Sequence, residues 1–140
     1  MKNLSPSTSA PTIASVRLTI AGWFGMVAFS VIVALSQGKR EYAFSAATAI
    51  IALVMAYWLW KRRSKAALVV TVILGGLQFI EQISYSIADL SSSSVWTENQ
   101  ASKGVTTFSD LFGALASAAI VAGSASALLQ RRRAHLAKQI

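Results

Sequence analysis

The chain has 140 residues, of which 54% are hydrophobic and only 13% are charged, and its mean hydropathy is +0.54. Globular domains usually carry about 25% charged residues, so this composition argues against an ordinary water-soluble domain. With no cysteine and one histidine, His135 in a basic tail, disulfides, thiolate metal sites and a serine–histidine catalytic site are excluded. We expect no metal and no cofactor.

Four apolar stretches follow one another along the chain, at residues 18–36, 43–60, 66–90 and 108–129. Crossing about 30 Å of hydrocarbon takes about 20 helical residues, and each stretch is about that long. The runs are continuous and lack the alternation of barrel strands. The sequence therefore predicts an all-α integral membrane protein, a four-helix bundle. Because the first and second connections are short, we expect consecutive spans to be antiparallel neighbours.

Three segments divide the chain by composition. Residues 1–15 are rich in Ser, Thr, Pro and Ala, which predicts a disordered cytoplasmic tail. Residues 16–130 form a single four-span domain, and residues 131–140 form a basic cytoplasmic tail. A cleaved signal peptide is the alternative for the first span. Its apolar run is longer than the roughly 7–15 residues of a signal core, so we expect an uncleaved span.

The positions of the basic residues predict the orientation of the spans. Ten of the 13 fall on one side: Lys2, Arg17, Lys61, Arg62, Arg63, Lys65, Arg131, Arg132, Arg133 and Lys138. Only Lys39, Arg40 and Lys103 fall on the other side. Since cytoplasmic segments carry the excess of Lys and Arg, we expect both termini in the cytoplasm. The small size of the protein and its lack of cysteine favour a plasma membrane, namely the inner membrane of a bacterium.

Two basic clusters lie directly against span ends. They comprise Lys61, Arg62 and Arg63, and Arg131, Arg132 and Arg133. Such clusters attract anionic lipid headgroups with about 1 kcal/mol per residue. The net charge of +8 therefore predicts a bilayer with anionic headgroups as partner rather than nucleic acid.

Polar side chains line one face of the third span. At about 100° per residue, the residues that share this face are Thr71, Gln78, Glu81, Gln82, Tyr85 and Asp89. A polar stripe is costly in lipid, so it must face the bundle interior, a water-filled cavity or another protein. Gln78, Glu81, Gln82 and Tyr85 are therefore the candidate proton, cation or interface residues.

Glu81 lies about 14 Å from the outer end of its span, at 1.5 Å per residue, which places it near the middle of the membrane. An ionised carboxylate there costs on the order of 2.5–3.5 kcal/mol, and no span contains Lys, Arg or His. Three roles remain open: a proton or cation site, a neutral acid hydrogen-bonded across a helix interface, and an acid paired with a cation of another protein.

Small residues form a packing face on the fourth span, where Gly113 and Ser117, and Ala119 and Gly123, have small-xxx-small spacing. Ser124 falls on the same side as Gly113 and Ser117. Small residues allow helix backbones to approach closely in lipid. We therefore predict that Gly113, Ser117, Gly123 and Ser124 are helix-packing residues.

Among function classes, an enzyme has the least support, because the sequence contains no nucleophile with a base, no P-loop and no dinucleotide-binding motif. In size and span count the chain resembles the small multidrug resistance transporters, whose dimers exchange protons for cationic drugs through a glutamate in the membrane. That family's glutamate is in the first span, and this first span has no acid. The resemblance implies a small dimeric proton-coupled transporter as the alternative function.

The function that needs the fewest assumptions is a non-catalytic one. We expect an accessory, assembly or regulatory subunit that acts through helix contacts within the membrane. Its partner would be another membrane protein or a second copy of the chain. The polar stripe of the third span and the small residues of the fourth would then be contact surfaces.

Overall fold

A computed structural model describes residues 10–37, 42–91 and 100–139, and the side chains within 13–36, 42–87 and 108–139. The described chain is all-helical, apart from the two-residue link 63–64 and a turn at 138–139. Its helices are α1 (Ala10–Gln37), α2 (Tyr42–Arg62), α3 (Lys65–Ser91) and α4 (Gln100–Ala137). By length and composition, four segments of these helices could each cross a membrane: Ile13–Ser36, Tyr42–Arg62, Lys65–Ile87 and Phe108–Ala137.

The helices reach beyond the predicted spans at several ends. Residues 10–15 belong to α1, although the sequence predicts disorder there, and α4 continues through residues 131–137 of the predicted tail. The extension of α1 has partners, because the Ser15 hydroxyl donates to the Ser126 hydroxyl at 3.1 Å. Pro11 lies in the first turn, where a missing backbone N–H costs little. Residues 1–9 of the predicted tail lie outside the described residues.

A turn of two residues joins α2 to α3. Arg63 has a φ of 40°, and its N–H donates to the Leu59 carbonyl at 3.2 Å, which is the left-handed motif that closes many helices. Ser64 then caps α3, since its side-chain oxygen accepts the Ala67 N–H at 3.1 Å. The tight turn places the end of α2 beside the start of α3.

The centre of the fold is the antiparallel pair of α1 and α4, which make the most extensive helix–helix contact. Ser15 meets Ser126, whereas further along α1 Met26 accepts a hydrogen bond on its sulfur from Ser117 at 3.4 Å. One row of buried residues on α1 recurs every three or four positions, as in helix bundles: Val16, Thr19, Trp23, Met26, Ser30 and Val33.

The outer helices each pack on one helix of this central pair. α2 packs along α1 and α3 packs along α4, and α2 and α3 contact each other little. The predicted packing of consecutive spans thus holds for α1 with α2 and for α3 with α4, but not for α2 with α3. Gly75 provides a physical reason, because its missing side chain lets α3 approach Ile120 of α4 closely. One side of the bundle, between α2 and α3, is therefore open.

The distribution of polar and apolar side chains is the reverse of that in a water-soluble protein. Many large apolar side chains are exposed, with Leu35 80% exposed and Leu115 71%. The interior holds small and polar residues, of which Thr19, Ser117 and Ser124 are completely buried. Their hydroxyls donate to carbonyls one turn earlier in the same helix, so no polar group of theirs needs water. This arrangement suits helices surrounded by lipid.

Candidate functional site

The face of α3 that packs against α4 contains small and polar residues. Its buried members are Leu68, Thr71, Gly75, Gln82 and Ser86. Gln82 is only 3% exposed and lies over Gly113, where a Cβ would be 3.1 Å from its Cδ. Gln82 is therefore part of the interface between α3 and α4.

The other predicted polar residues of α3 lie beside this interface rather than in it. Gln78 and Glu81 are half-buried, and Tyr85 is 55% exposed. At about 100° per residue, Glu81 and Gln82 point in directions about 100° apart, so only Gln82 faces the interface with α4. We call Gln78, Glu81 and Tyr85 the polar flank of α3. The side chain of Asp89 lies outside the described ones.

The polar flank continues a face of α3 that begins beside the turn between α2 and α3. Ala67, Leu74 and Glu81 share one face because residues seven apart nearly coincide on a helix. Ala67, next to the turn that joins α2 and α3, is completely buried. Leu74 and Glu81 are half-buried, and Tyr85 is exposed. The cover over this face thus decreases with distance from the turn.

Hydrogen bonding is incomplete at the glutamines. Oε1 of Gln78 and Oε1 of Gln82 are both buried and accept no hydrogen bond within the described chain. The same holds for the buried Thr71 and Ser45 hydroxyl oxygens and, as an unused donor, for Trp23 Nε1. Glu81 makes no hydrogen bond or ion pair with any described residue. A buried acceptor without a donor costs about 1–3 kcal/mol, so the Gln78 oxygen on the flank would gain from a donor on a bound molecule or a neighbouring chain.

The four small residues predicted on α4 lie inside the bundle. Gly113 lies between Phe29 of α1 and Gln82 of α3, and Ser117 contacts Met26. A Cβ at Gly123 would be 2.7 Å from the Ser15 carbonyl oxygen. Ser124 is fully buried. The structure thus brings this face against α1 and, through Gly113, against α3.

The basic residues predicted for lipid headgroups lie at one end of the bundle. Lys61, Arg62, Arg63, Arg132 and Arg133 are exposed, and Arg131 is half-buried. Arg131 Nη2 donates to the backbone carbonyl of Arg63, which ties the end of α4 to the turn between α2 and α3. The Lys61 ammonium donates to the Tyr57 hydroxyl at 3.2 Å. The clusters predicted to share one side of the membrane therefore share one end of the fold.

Sequence reasoning missed two features of the interior. Gly22 and Gly25 both face Ala116, whereas Ala21, which has small-xxx-small spacing with Gly25, is exposed. A pair of glycines three residues apart is the signal that could have indicated this contact. Asp110, ten residues after the first residue of α4, is buried at 9% exposure.

Within the described ranges, no three His, Asp or Glu side chains come together as metal ligands would. The described part of the site offers carboxamide, hydroxyl and carboxyl groups for hydrogen bonding. Comparison with known proteins adds no identity, since no family model, curated protein or solved structure matches the chain.

Proposed function

We propose that the protein is a non-catalytic, multi-pass membrane subunit that binds another membrane-embedded helix along the polar flank of α3. The apolar exterior and polar interior support insertion in a bilayer. The excess of Lys and Arg at one end of the bundle supports a cytoplasmic location for both termini. On this proposal the protein lies in a plasma membrane, such as a bacterial inner membrane.

The observation that carries the proposal is the half-buried Glu81, which lies on a face of α3 that the other helices do not fully cover. Carboxyl groups within membrane spans face a bundle interior or a partner because exposure to hydrocarbon is costly. The rest of the exposed α3 surface is mainly apolar, as at Ile73, Leu77 and Ile80. A helix placed against the polar flank would cover the acid and leave the apolar surface for lipid.

The chemistry of the flank indicates what such a helix provides. Gln78 Oε1 lacks a donor among the described residues, and the spans contain no Lys, Arg or His. The matching surface therefore presents hydrogen-bond donors or a cation at the depth of Glu81. Hydrogen bonds of this kind contribute about 0.6 kcal/mol each on average, so packing of small residues has to add most of the affinity.

Photocross-linking in native membranes tests this contact. A photoreactive amino acid replaces Tyr85 on the flank, and a matched control replaces Ile80. The two positions are 55% and 65% exposed and point about 140° apart on α3. We expect a discrete protein adduct from position 85 and only lipid adducts from position 80. Equal adducts from both positions, or lipid adducts alone at 85, would contradict the proposal.

The native mass of the gently extracted protein then identifies the partner class. A reproducible complex with other chains supports an accessory or assembly subunit. A homodimer with nothing else attached favours the second candidate, a small dimeric proton-coupled transporter that uses Glu81. The partly exposed acid beside buried, donor-free oxygens is the observation that favours this candidate.

The substitution Glu81→Gln separates the two functions, because glutamine retains hydrogen bonding but cannot ionise. Proton-coupled transport should be abolished, whereas the assembled complex should persist with nearly unchanged mass. Gln78→Ala on the same flank is the control, since it removes a hydrogen-bonding group and leaves the acid in place.

A further inference from the structure

A groove of about 290 Å³ lies between the first half of α1 and the end of α2. The residues that line it are Ile13, Val16, Arg17, Ile20, Ala21, Phe24, Trp60 and Arg63. None of its lining residues belongs to α3. Its lining contains no acidic residue, and its wall is mostly apolar.

Charge and apolar surface are separated along this groove. Arg17 lies near the start of α1 and Arg63 directly follows α2, so both guanidinium groups are at the basic end of the bundle. Phe24 is seven residues beyond Arg17, about 10 Å further along the helix axis. The groove therefore has two cations near its basic end and about 10 Å of apolar wall that leads from Arg17 toward Phe24. An amphipathic anion matches this distribution.

The backbone at Arg63 supports a role for its side chain. A φ of 40° favours glycine, which is the usual residue at this position after a helix. Arginine gains nothing from that backbone conformation, and strained backbone often occurs at binding sites. The Arg131 side chain donates to the Arg63 carbonyl and holds the turn in place. The turn thus presents a guanidinium group beside the groove.

We infer that this groove binds one anionic phospholipid. Its phosphate lies between Arg17 and Arg63, since guanidinium groups form charge-assisted hydrogen bonds with phosphate. One acyl chain follows Ile20, Ala21 and Phe24, and Trp60 lies at the level of the headgroup, as tryptophan does at membrane interfaces. Basic pockets between membrane helices on the cytoplasmic side bind such headgroups. The inference extends beyond the proposed function and does not depend on Glu81.

Native mass spectrometry of the purified full chain tests the site. Phosphatidylglycerol and phosphatidylcholine with the same acyl chains are titrated separately. We expect one tightly bound phosphatidylglycerol and no comparable phosphatidylcholine. In the double variant R17Q/R63Q, affinity for phosphatidylglycerol should fall about 30-fold, because each basic residue contributes roughly fivefold. The control K65Q/K138Q removes two exposed lysines that lie outside the groove and outside both basic clusters, and it should change affinity less than about threefold.

A second pair of variants tests the acyl-chain portion with all charges retained. A21L places a larger side chain in the groove. A28L makes the same change seven residues further along α1, at an exposed position outside the groove. We expect A21L alone to weaken phosphatidylglycerol binding. Equal losses in the double-arginine variant and in the double-lysine control, or equal binding of phosphatidylcholine, would overturn the inference. So would inorganic phosphate that displaces the lipid at similar concentration, because the site would then recognise phosphate alone.

Discussion

Ile120 of α4 packs so closely against Gly22 of α1 that a Cβ at position 22 would lie 2.7 Å from Ile120 Cγ1. The same Cβ would lie 2.8 Å from the Ala116 carbonyl oxygen and 2.9 Å from the Ile120 backbone nitrogen. Backbone atoms of a long helix cannot move aside individually. The contact between the two central helices therefore depends on the absence of a side chain at this position.

The first prediction is that Gly22→Ala destabilises the bundle. Overpacking of an interior typically costs about 1–3 kcal/mol, which exceeds the gain of roughly 1 kcal/mol in helix propensity from alanine. Unfolding in SDS, followed by circular dichroism, measures the difference. Gly76→Ala is the matched control, since nothing lies within 4 Å of a Cβ at position 76. The control should be neutral or slightly stabilising, and a destabilised control with an unaffected Gly22→Ala would contradict the packing described.

The second prediction concerns Gly75 of α3, which contacts the same residue from the other side. A Cβ there would lie 2.6 Å from Ile120 Cγ2, and Ile120 is completely buried with Gly22 on its opposite side. The isoleucine therefore has little room to shift, so Gly75→Ala should also destabilise the protein.

A double-mutant cycle tests this contact directly. Ile120→Ala alone should cost about 2–5 kcal/mol through the cavity it leaves. In the Ile120→Ala variant, Gly75→Ala should lower the free energy of unfolding by less than it does in the natural chain. The difference between the two backgrounds should be at least about 1 kcal/mol. Strictly additive effects would show that Gly75 and Ile120 do not constrain each other.

The sequence predicts the helices well and the contacts between them less completely. Long apolar runs are sufficient to locate four helices, because a helix satisfies its own backbone hydrogen bonds. The open side between α2 and α3 cannot be read from short connections alone. It depends on Gly75, which lets α3 approach Ile120. Such pairings join residues far apart in the chain and leave no periodic pattern in either helix.

The same holds for the candidate site, whose residues are predicted better than their contacts. The helical spacing of Gln78, Glu81, Gln82 and Tyr85 predicts one polar stripe, and the structure divides it between a buried interface and an open flank. Periodicity defines directions around a helix but not how much of its circumference a neighbour covers. The distinction between Gln82 and Tyr85 therefore requires the position of α4.

The third prediction is that Gln82→Met leaves the folded protein as stable as before or up to about 1 kcal/mol more stable. Gln82 is 3% exposed and its Oε1 accepts no hydrogen bond from the described chain. Replacing such a group by an apolar one of similar shape removes an unsatisfied acceptor. SDS unfolding measures the effect, with Leu74→Met as a control for methionine packing. A loss above about 2 kcal/mol would show that the carboxamide has a partner in the folded protein.

The fourth prediction concerns the orientation proposed from the basic residues. The natural chain has no cysteine, so single cysteines can be labelled without background. Lys138→Cys is exposed at the end of α4, on the side proposed to be cytoplasmic. Ser94→Cys lies in the connection between the third and fourth spans of the sequence, proposed to be outside. In intact cells, a membrane-impermeant maleimide should label position 94 and leave position 138 unlabelled.

Permeabilised cells provide the control for that experiment, because both cysteines should then react to a similar extent. The expectation follows from the ten basic residues on one side against three on the other, a bias that sets orientation when it lies in short segments next to spans. Labelling of position 138 in intact cells, with position 94 protected, would reverse the orientation.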